Sequence, residues 1–433
     1  MANKKILEVV QQGPAELAKF RKANPEVLID LVDADLKKAN LRGGQLRRAN
    51  LVGAKLQQAR LMKAELDAAD LTRADLTRAS LKQASLVKAD LSNSALKQVN
   101  FAGADLSGAD LSGCDLTEAN LRKADLRRAN LQKADLTGAN LTGAKLRQAD
   151  LSSANLIETT LDEADFNEAN LSETHLDRSS LIGTNLNRTI MAYTRLTDCT
   201  LGWGSLGGVD LTSVQGLETV THIAPSNLGA DTLDCAGKNL PLNFLQGCGV
   251  PESTIKHIID QEPNPAACTI CFLSYSERDQ EFAQVLHGFL QNKGIRCWLS
   301  EKPVEEEAAK PSQIGRADHL WHRILLCTSS HSLSSWWVDR EVDAAFEKEK
   351  QLKKETGKDV QVLIPVNLDG YMTGGNWKHE HLKKISARTI ADFSSWRRSK
   401  EKFVEDIDKV IEALGVVQEK PKETSKDSKK KKK

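Results

Sequence analysis

The chain has 433 residues and a formal net charge of +1; 27% of its residues are charged and 40% are hydrophobic. A net charge near zero gives no general attraction to nucleic acid, so no specific nucleic-acid partner is expected. No apolar run approaches the roughly 18 residues that a membrane-spanning helix needs, and no signal peptide is recognisable. We therefore expect a cytoplasmic protein without a membrane span.

The first 30 residues are predicted to form a helical cap. Apolar residues at helical spacing are interrupted at Gly13-Pro14 and again at Pro25. The apolar positions are Ile6, Val9, Val10, Leu17 and Phe20. Such a segment can cover the apolar end of the repetitive region that follows.

From Leu31 to Leu211 a large apolar residue occupies every fifth position, which makes 37 repeats. The residue is leucine except at Phe101, Phe166 and Met191, and a small residue stands two positions before it. A period of five fits neither a helix nor a flat strand. It fits a square coil with one repeat on each side, four repeats in each turn, and large and small side chains packed alternately inside. This arrangement gives about nine coils spaced at roughly 4.8 Å.

The repeated pattern A(D/N)Lxx resembles that of the pentapeptide-repeat family. The resemblance implies a right-handed quadrilateral β-helix over residues 31–215. Charge is uneven along this solenoid: residues 31–100 carry 13 basic and 7 acidic residues, whereas residues 150–215 carry 3 and 10. The gradient is either ordinary drift of a solvated surface or the basis of head-to-tail or antiparallel self-association. Over residues 31–215 the charges balance, which argues against an acidic DNA mimic.

Residues 216–265 are predicted to be a C-terminal cap and linker, with two short helices within 240–262. Short apolar runs then alternate with amphipathic segments over 266–415, which predicts a parallel sheet covered by helices on both faces. The predicted strands are 268–274, 295–299, 322–328 and 360–366, and the predicted helices are 279–292, 338–353 and 402–414. The lysine-rich segment 416–433 is predicted to be a disordered basic tail.

Cysteine does not indicate a metal centre or a redox site. Cys268 and Cys271 have CxxC spacing, but residues three apart on a strand face opposite sides, and no second pair follows. We expect buried thiols and no metal ligands among the eight cysteines.

Several motifs in order resemble a TIR domain of the bacterial type, covering about 266–415. They are FLSYSxxD at 272–279, GxxxW at 294–298, SSHSLSSWWVDRE at 329–341 and IPV at 364–366. The resemblance implies an α/β flavodoxin-like fold. It also implies one of two functions: hydrolysis of NAD at the nicotinamide–ribose bond, or non-catalytic assembly with other TIR-containing proteins.

The resemblance places the catalytic acid at Glu341, near the start of a helix. A fixed carboxylate there can stabilise oxocarbenium-like charge on the ribose. Substrate-binding candidates lie directly after the first predicted strand, where the second predicted strand enters its loop, and just before the second predicted helix; open α/β sheets bind ligands at the carboxyl ends of their strands. They are Tyr275, Ser276, Arg278, Trp298 and Trp337.

Each candidate has a simpler interpretation. Glu341 is also a first-turn acid of the kind that a helix dipole favours, Trp298 and Trp337 can be core residues, and Arg278 can be a solvated surface residue. NAD is expected as the substrate, with no resident cofactor. The family's second-strand loop usually carries a glycine, but here that position falls near Glu307 in the acidic run 305–307. This departure favours the adaptor alternative, because an acidic loop repels the diphosphate of NAD.

Overall fold

A computed structural model describes residues 3–260, 270–293, 295–299, 323–334, 336–356, 359–372, 374, 377–388 and 391–414. The chain divides into two compact units, the first containing 3–260 and the second 270–414 of these residues. No helix among the described residues is long and apolar enough to span a membrane.

The N-terminal unit begins with two helices, α1 (Lys4–Gln11) and α2 (Pro14–Ala23). The side chain of Asn3 caps α1 by accepting hydrogen bonds from the first turn, and Pro14 occupies the first turn of α2, where its missing N–H is not needed. The buried residues of these helices, Ile6, Val10 and Leu17, belong to the same apolar core as the repeats. Their packing shields the first coil from water.

The repeats form the square coil that the period of five predicts. Parallel bridges join nearly every residue before an inward leucine to the residue 20 positions later, beginning with Asp30 and Asn50 and ending with Arg195 and Gln215. Twenty residues per coil means four repeats per turn. The central leucines and most of the small residues two positions before them are buried at 0–2% exposure, so the predicted alternation of large and small inward residues is confirmed.

Each side of the coil turns through a type II β-turn. In the first repeat the Ala34 N–H donates to the Leu31 carbonyl (3.0 Å), and Asp33 has a φ of 58°. Every later repeat as far as Gly208 has such a left-handed residue at the same place, and most of these residues are not glycine.

The Asp or Asn of the motif, which directly precedes the inward leucine, also stabilises the turn. Its side chain accepts a hydrogen bond from the backbone N–H two residues later, as when Asp105 accepts from Ser107 (3.0 Å). Along one side these residues also stack between coils: Asn130 Nδ2 donates to Asp110 Oδ1 at 3.1 Å, and both residues are buried. The motif's preference for Asp and Asn is therefore explained by both local and inter-coil hydrogen bonds.

Parallel pairing of the coils continues after Gln215. Strands β1 (Ser180–Ile182), β2 (Thr200–Gly202) and β4 (Thr221–His222) form one short sheet, and β3 (Ser205–Leu206) pairs with β5 (Asn227–Leu228). Three short helices follow: α3 (Ala230–Ala236), α4 (Leu242–Gly247) and α5 (Glu252–Ile259). The last two are the helices predicted within 240–262.

The C-terminal unit is built on a five-stranded sheet, and its order explains where a ligand site can form. The strands are β6 (Ile270–Ser274), β7 (Arg296–Leu299), β8 (Arg323–Thr328), β9 (Leu363–Asn367) and β10 (Ala391–Asp392). They are all parallel and lie in the order β10-β9-β8-β6-β7. The chain therefore moves from β6 to one neighbour and then crosses to the other, which creates a switch point between β6 and β8.

Four helices are described in this unit: α6 (Gln280–Asn292), α7 (Trp336–Thr356), α8 (Leu382–Ser386) and α9 (Lys400–Ala413). The four predicted strands and three predicted helices are found, with ends shifted by a few residues. Strand β10 and helix α8 were not predicted. The four central residues of β8, Ile324–Cys327, are completely buried, as a strand covered on both faces requires.

Candidate functional site

Polar side chains from three elements meet at the carboxyl ends of β6 and β8, on either side of the switch point. The last residue of β6, Ser274, donates a hydrogen bond through its Oγ to Oε2 of Glu341 on α7. Ser274 is fully buried and Glu341 is half-buried. The contact fixes the orientation of the predicted acid at the edge of the sheet where open α/β folds bind ligands.

A second set of hydrogen bonds joins the two loops at this edge. Asp279 Oδ2 accepts from the hydroxyl of Ser276, which follows β6, and from Ser329 Oγ at 2.6 Å, which follows β8. Ser329 is in turn held by Ser332, whose N–H donates to Ser329 Oγ at 3.0 Å. The serine-rich turn is thereby tied to the first-strand motif, and the two loops form one rigid edge.

An acidic residue after β9 continues this edge. Burial alone would raise the pKa of Asp369, but the backbone N–H groups of Ser330 and Tyr371 donate to its carboxylate at 2.8 and 3.0 Å and hold that pKa below its usual value. Asp369 therefore bridges the loops after β8 and β9 as a charged acceptor.

The structure brings some predicted residues to this edge and places others elsewhere. Ser276 is buried and its hydroxyl is engaged by Asp279. Tyr275 is 7% exposed and packs in the hydrophobic core, as a structural role requires. Arg278 lies in a short 3-10 helix, Glu277–Asp279, and is exposed to solvent.

For two of the predicted site residues, Trp298 and Trp337, the structure describes only the backbone. Trp298 is the third residue of β7 and pairs with Phe272, so it lies within the strand and not in the loop after it. Trp337 is the second residue of α7. The side chains of both residues, and the predicted loop departure around Glu307, lie outside the described residues. The substrate-binding roles of these residues stay predictions.

Several residues at this edge were not among the predicted site residues, and three of them come from the sequence motifs: Ser274, Asp279 and Ser329. Ser274 and Asp279 are fixed positions of the FLSYSxxD motif, and Ser329 opens the serine-rich motif. Their presence in those motifs is the sequence signal from which they could have been predicted as site residues. Their roles as partners of Glu341 and of one another become visible only when the strands are placed side by side.

Two buried cysteines lie on neighbouring strands of this sheet. Cys271 and Cys297 lie opposite each other on β6 and β7. A hydrogen bond with Cys271 and burial raise the pKa of Cys297 well above its usual value, so it stays a neutral thiol.

Comparison with known families agrees with both units. The pattern of pentapeptide repeats matches in eight copies and that of the TIR domain matches residues 271–411; the repeat matches cover 29–67, 64–103, 94–133, 104–143, 134–172 and 164–202. None of the curated proteins matches the chain.

Solved structures are similar to parts of the chain. HetL, a pentapeptide repeat protein involved in heterocyst differentiation regulation from the cyanobacterium Nostoc sp. strain PCC 7120, is 34% identical over 44% of this chain and 84% of its own, with a TM-score of 0.28. QnrB1, a plasmid-mediated fluoroquinolone resistance protein, is 19% identical over 38% and 80%, with a TM-score of 0.29. The TIR domains of the activated Roq1 resistosome are 15% identical over 37% and 92%, with a TM-score of 0.20.

The chain therefore belongs to the pentapeptide-repeat family, and a TIR domain follows its repeats. The repeat unit is a right-handed quadrilateral β-helix, and the TIR domain is an α/β unit with a parallel sheet.

Proposed function

We propose that this chain is a TIR signalling or effector protein that hydrolyses NAD at the nicotinamide–ribose bond, with Glu341 as the catalytic acid. The observation that carries the proposal is the hydrogen bond from Ser274 to Glu341 at the switch point of the sheet. Departure of nicotinamide leaves positive charge on the ribose, and a carboxylate held in a fixed orientation stabilises that charge without reorganising.

The rest of the edge supports binding of a dinucleotide. The exposed guanidinium of Arg278 is available for a phosphate oxygen, and Trp298 and Trp337 are proposed to stack on the aromatic bases. The hydroxyl of Ser276 already donates to Asp279, so its proposed role is to hold the loop that faces the substrate. NAD is the substrate in this scheme, and the reaction needs no resident cofactor.

Activity is proposed to depend on self-assembly, through the TIR domain and with the solenoid as a scaffold. The solenoid carries a basic surplus at residues 31–100 and an acidic surplus at 150–215. Opposite charges on two copies attract at low ionic strength and are screened by salt. Contacts with other TIR-containing proteins would use the same kind of surface.

The test is nicotinamide release from NAD by the purified full-length chain, with and without a crowding agent. Glu341→Gln preserves size but removes the negative charge, so turnover should fall by at least 100-fold while the thermal midpoint stays unchanged. Glu347→Gln is the matched control, because Glu347 lies on the same helix, is exposed, and forms an ion pair with Lys350 one turn away. Unchanged turnover in Glu341→Gln would remove the assigned acid.

Salt dependence tests the assembly step separately. Turnover per molecule should rise steeply with protein concentration and fall when salt is raised to about 0.5 M. A wild-type protein that shows no turnover under any assembling condition would favour the alternative function, a non-catalytic TIR adaptor. The acidic run 305–307 would then be the first segment to mutate.

A further inference from the structure

Three potential metal ligands converge in the TIR domain, beginning with a residue two positions after Glu341, which places it on a different face of the same helix. They are the carboxylates of Asp343 and Glu380 and the imidazole of His381, and one donor atom from each lies within 4.8 Å of the others. Asp343 is on α7, whereas Glu380 and His381 immediately precede α8. The group is thus assembled by the fold from segments that are far apart in sequence.

The imidazole ring of His381 and that of the nearby His379 are both held in place by packing. His379 is stacked on Trp377 with ring centroids 5.0 Å apart, and His381 lies 4.1 Å from the ring of Phe346. The His381 side chain is only 16% exposed, whereas the carboxylates of Asp343 and Glu380 face solvent. An imidazole held by packing beside two exposed carboxylates is a site that can bind an ion with side-chain movement alone.

The distances between donors are those of a metal site. His381 Nε2 is 3.2 Å from Glu380 Oε1 and 3.9 Å from Asp343 Oδ1. Tetrahedral zinc has bonds of about 2.0–2.1 Å, which separates neighbouring ligand atoms by about 3.4 Å. Small rotations of the two carboxylates are therefore sufficient to complete three bonds.

His379 supports one of these carboxylates from behind. Its Nδ1 accepts a hydrogen bond from the His381 N–H at 3.1 Å, so in the neutral ring the proton is on Nε2. That Nε2 is 3.6 Å from Asp343 Oδ1 and 3.9 Å from Asp339 Oδ1. A small rotation of Asp343 on binding an ion would bring its carboxylate within hydrogen-bond distance of this N–H, which is the usual support for a ligand around protein metal sites.

The basic side chains near the group are engaged mainly by other groups. Lys350 pairs with Glu347, and the charge of Glu380 acts on it more weakly. Arg388 lies over the Phe346 ring and forms a two-pronged ion pair with Glu349, with both distances 2.7 Å. Lys384 also lies over Phe346, 5.6 Å from its centre. A divalent cation would balance the two carboxylates that converge on His381.

We propose that Asp343, Glu380 and His381 bind one divalent cation of the zinc class, with His379 as a positioning residue. An imidazole ligand favours zinc, nickel or copper over magnesium and calcium, which prefer oxygen ligands. Three protein ligands leave a coordination position open to water or to a partner's side chain. The proposed metal site shares no residue with the proposed NAD site, although Asp343 and Glu341 lie on the same helix.

The test uses the full-length chain, stripped with a chelator, and titrates Zn²⁺ by calorimetry. Co²⁺ serves as a second probe, because its visible absorption reports nitrogen and oxygen coordination. One equivalent should bind, and Asp343→Asn and His381→Ala should each weaken binding at least tenfold. His257→Ala is the control, because His257 is an exposed histidine in the repeat unit, and it should bind as the wild type does.

Asp343→Asn and Glu380→Gln keep the proposal testable if His381→Ala fails to fold, since both replaced side chains are exposed. Absence of a stoichiometric Zn²⁺ site in the wild type would overturn the proposal and leave a hydrogen-bonded surface cluster. Equal affinity in Asp343→Asn, Glu380→Gln and the wild type would overturn it as well.

Discussion

At the scale of single residues, the sequence motifs predicted Glu341 as the acid but did not predict its hydrogen bond with Ser274. Glu341 was predicted from a motif, and the structure places it against Ser274 at the predicted edge of the sheet. The partner depends on which face of β6 Ser274 presents, and a short buried strand without alternation does not reveal its faces. The group around His381 was not predicted for a related reason: Asp343 lies far from it in the sequence, and only the packing of α8 near α7 brings them together.

A half-buried histidine whose ring nitrogens are buried leads to a prediction about how stability depends on pH. His222 on β4 packs edge-on against Phe244, and neither of its ring nitrogens has a hydrogen-bond partner among the described residues. Burial lowers the pKa of His222 below its usual value of 6.5. At a pH between the lowered pKa of His222 in the folded chain and its usual value of 6.5, the unfolded chain binds the proton more readily than the folded chain. Stability should therefore be fully present above about pH 6.5 and should fall as the pH is lowered through that window.

The measurement is the thermal midpoint of the β-rich unit between pH 7.5 and pH 5.5. His222→Phe should reduce the loss of stability across this range, whereas His175→Gln, at an exposed histidine of the solenoid, should leave it unchanged. An identical pH profile for His222→Phe and the wild type would show that another group is responsible.

At the scale of elements, periodic segments were predicted well and short ones were not. The period of five located every inward position, because each repeat meets the same environment. Strand β10 has only two residues and is defined by its pairing with Asn367 and Val366, not by a pattern of its own. Helix α8 has five residues, which is too short for a helical period to show.

The inward positions should be much more sensitive to substitution than the outward ones. Leu126 is fully buried, and Leu126→Ala should reduce the free energy of unfolding by about 2–5 kcal/mol, through lost apolar burial and the cavity left behind. Arg122 is exposed on a neighbouring repeat, and Arg122→Ala should change the free energy of unfolding by less than about 0.5 kcal/mol. Chemical denaturation of both variants measures the difference, and equal shifts would contradict the observed register.

At the scale of the whole molecule, the motifs predicted both units. They did not predict how far backbone pairing continues beyond the last repeat, because that pairing has no sequence pattern of its own. Parallel pairing continues to Leu228 although the leucine period stops at Leu211, because the later pairs are 21 and 22 residues apart. The two inserted residues break the pattern in the sequence without breaking the stack of backbones.

The repeat unit should fold without the TIR domain. Each coil contacts only its neighbours, and both ends carry helices that share the apolar core. Residues 1–262 should therefore be soluble and give a β-rich circular dichroism spectrum with a cooperative thermal transition. A fragment that aggregates unless residues 270–414 are restored would contradict this independence.

The spacing of 20 residues between paired positions also limits how such a chain can change its length. Deleting one repeat of five residues keeps a leucine on every side, but it moves all later residues to the next side of the square. The contact between Asn130 and Asp110 would be lost by such a deletion anywhere between them, although the core would remain filled. Duplication or loss of a whole coil of four repeats leaves every later residue on the same side of the square. Changes in length that preserve the surface of this solenoid should therefore occur in multiples of four repeats.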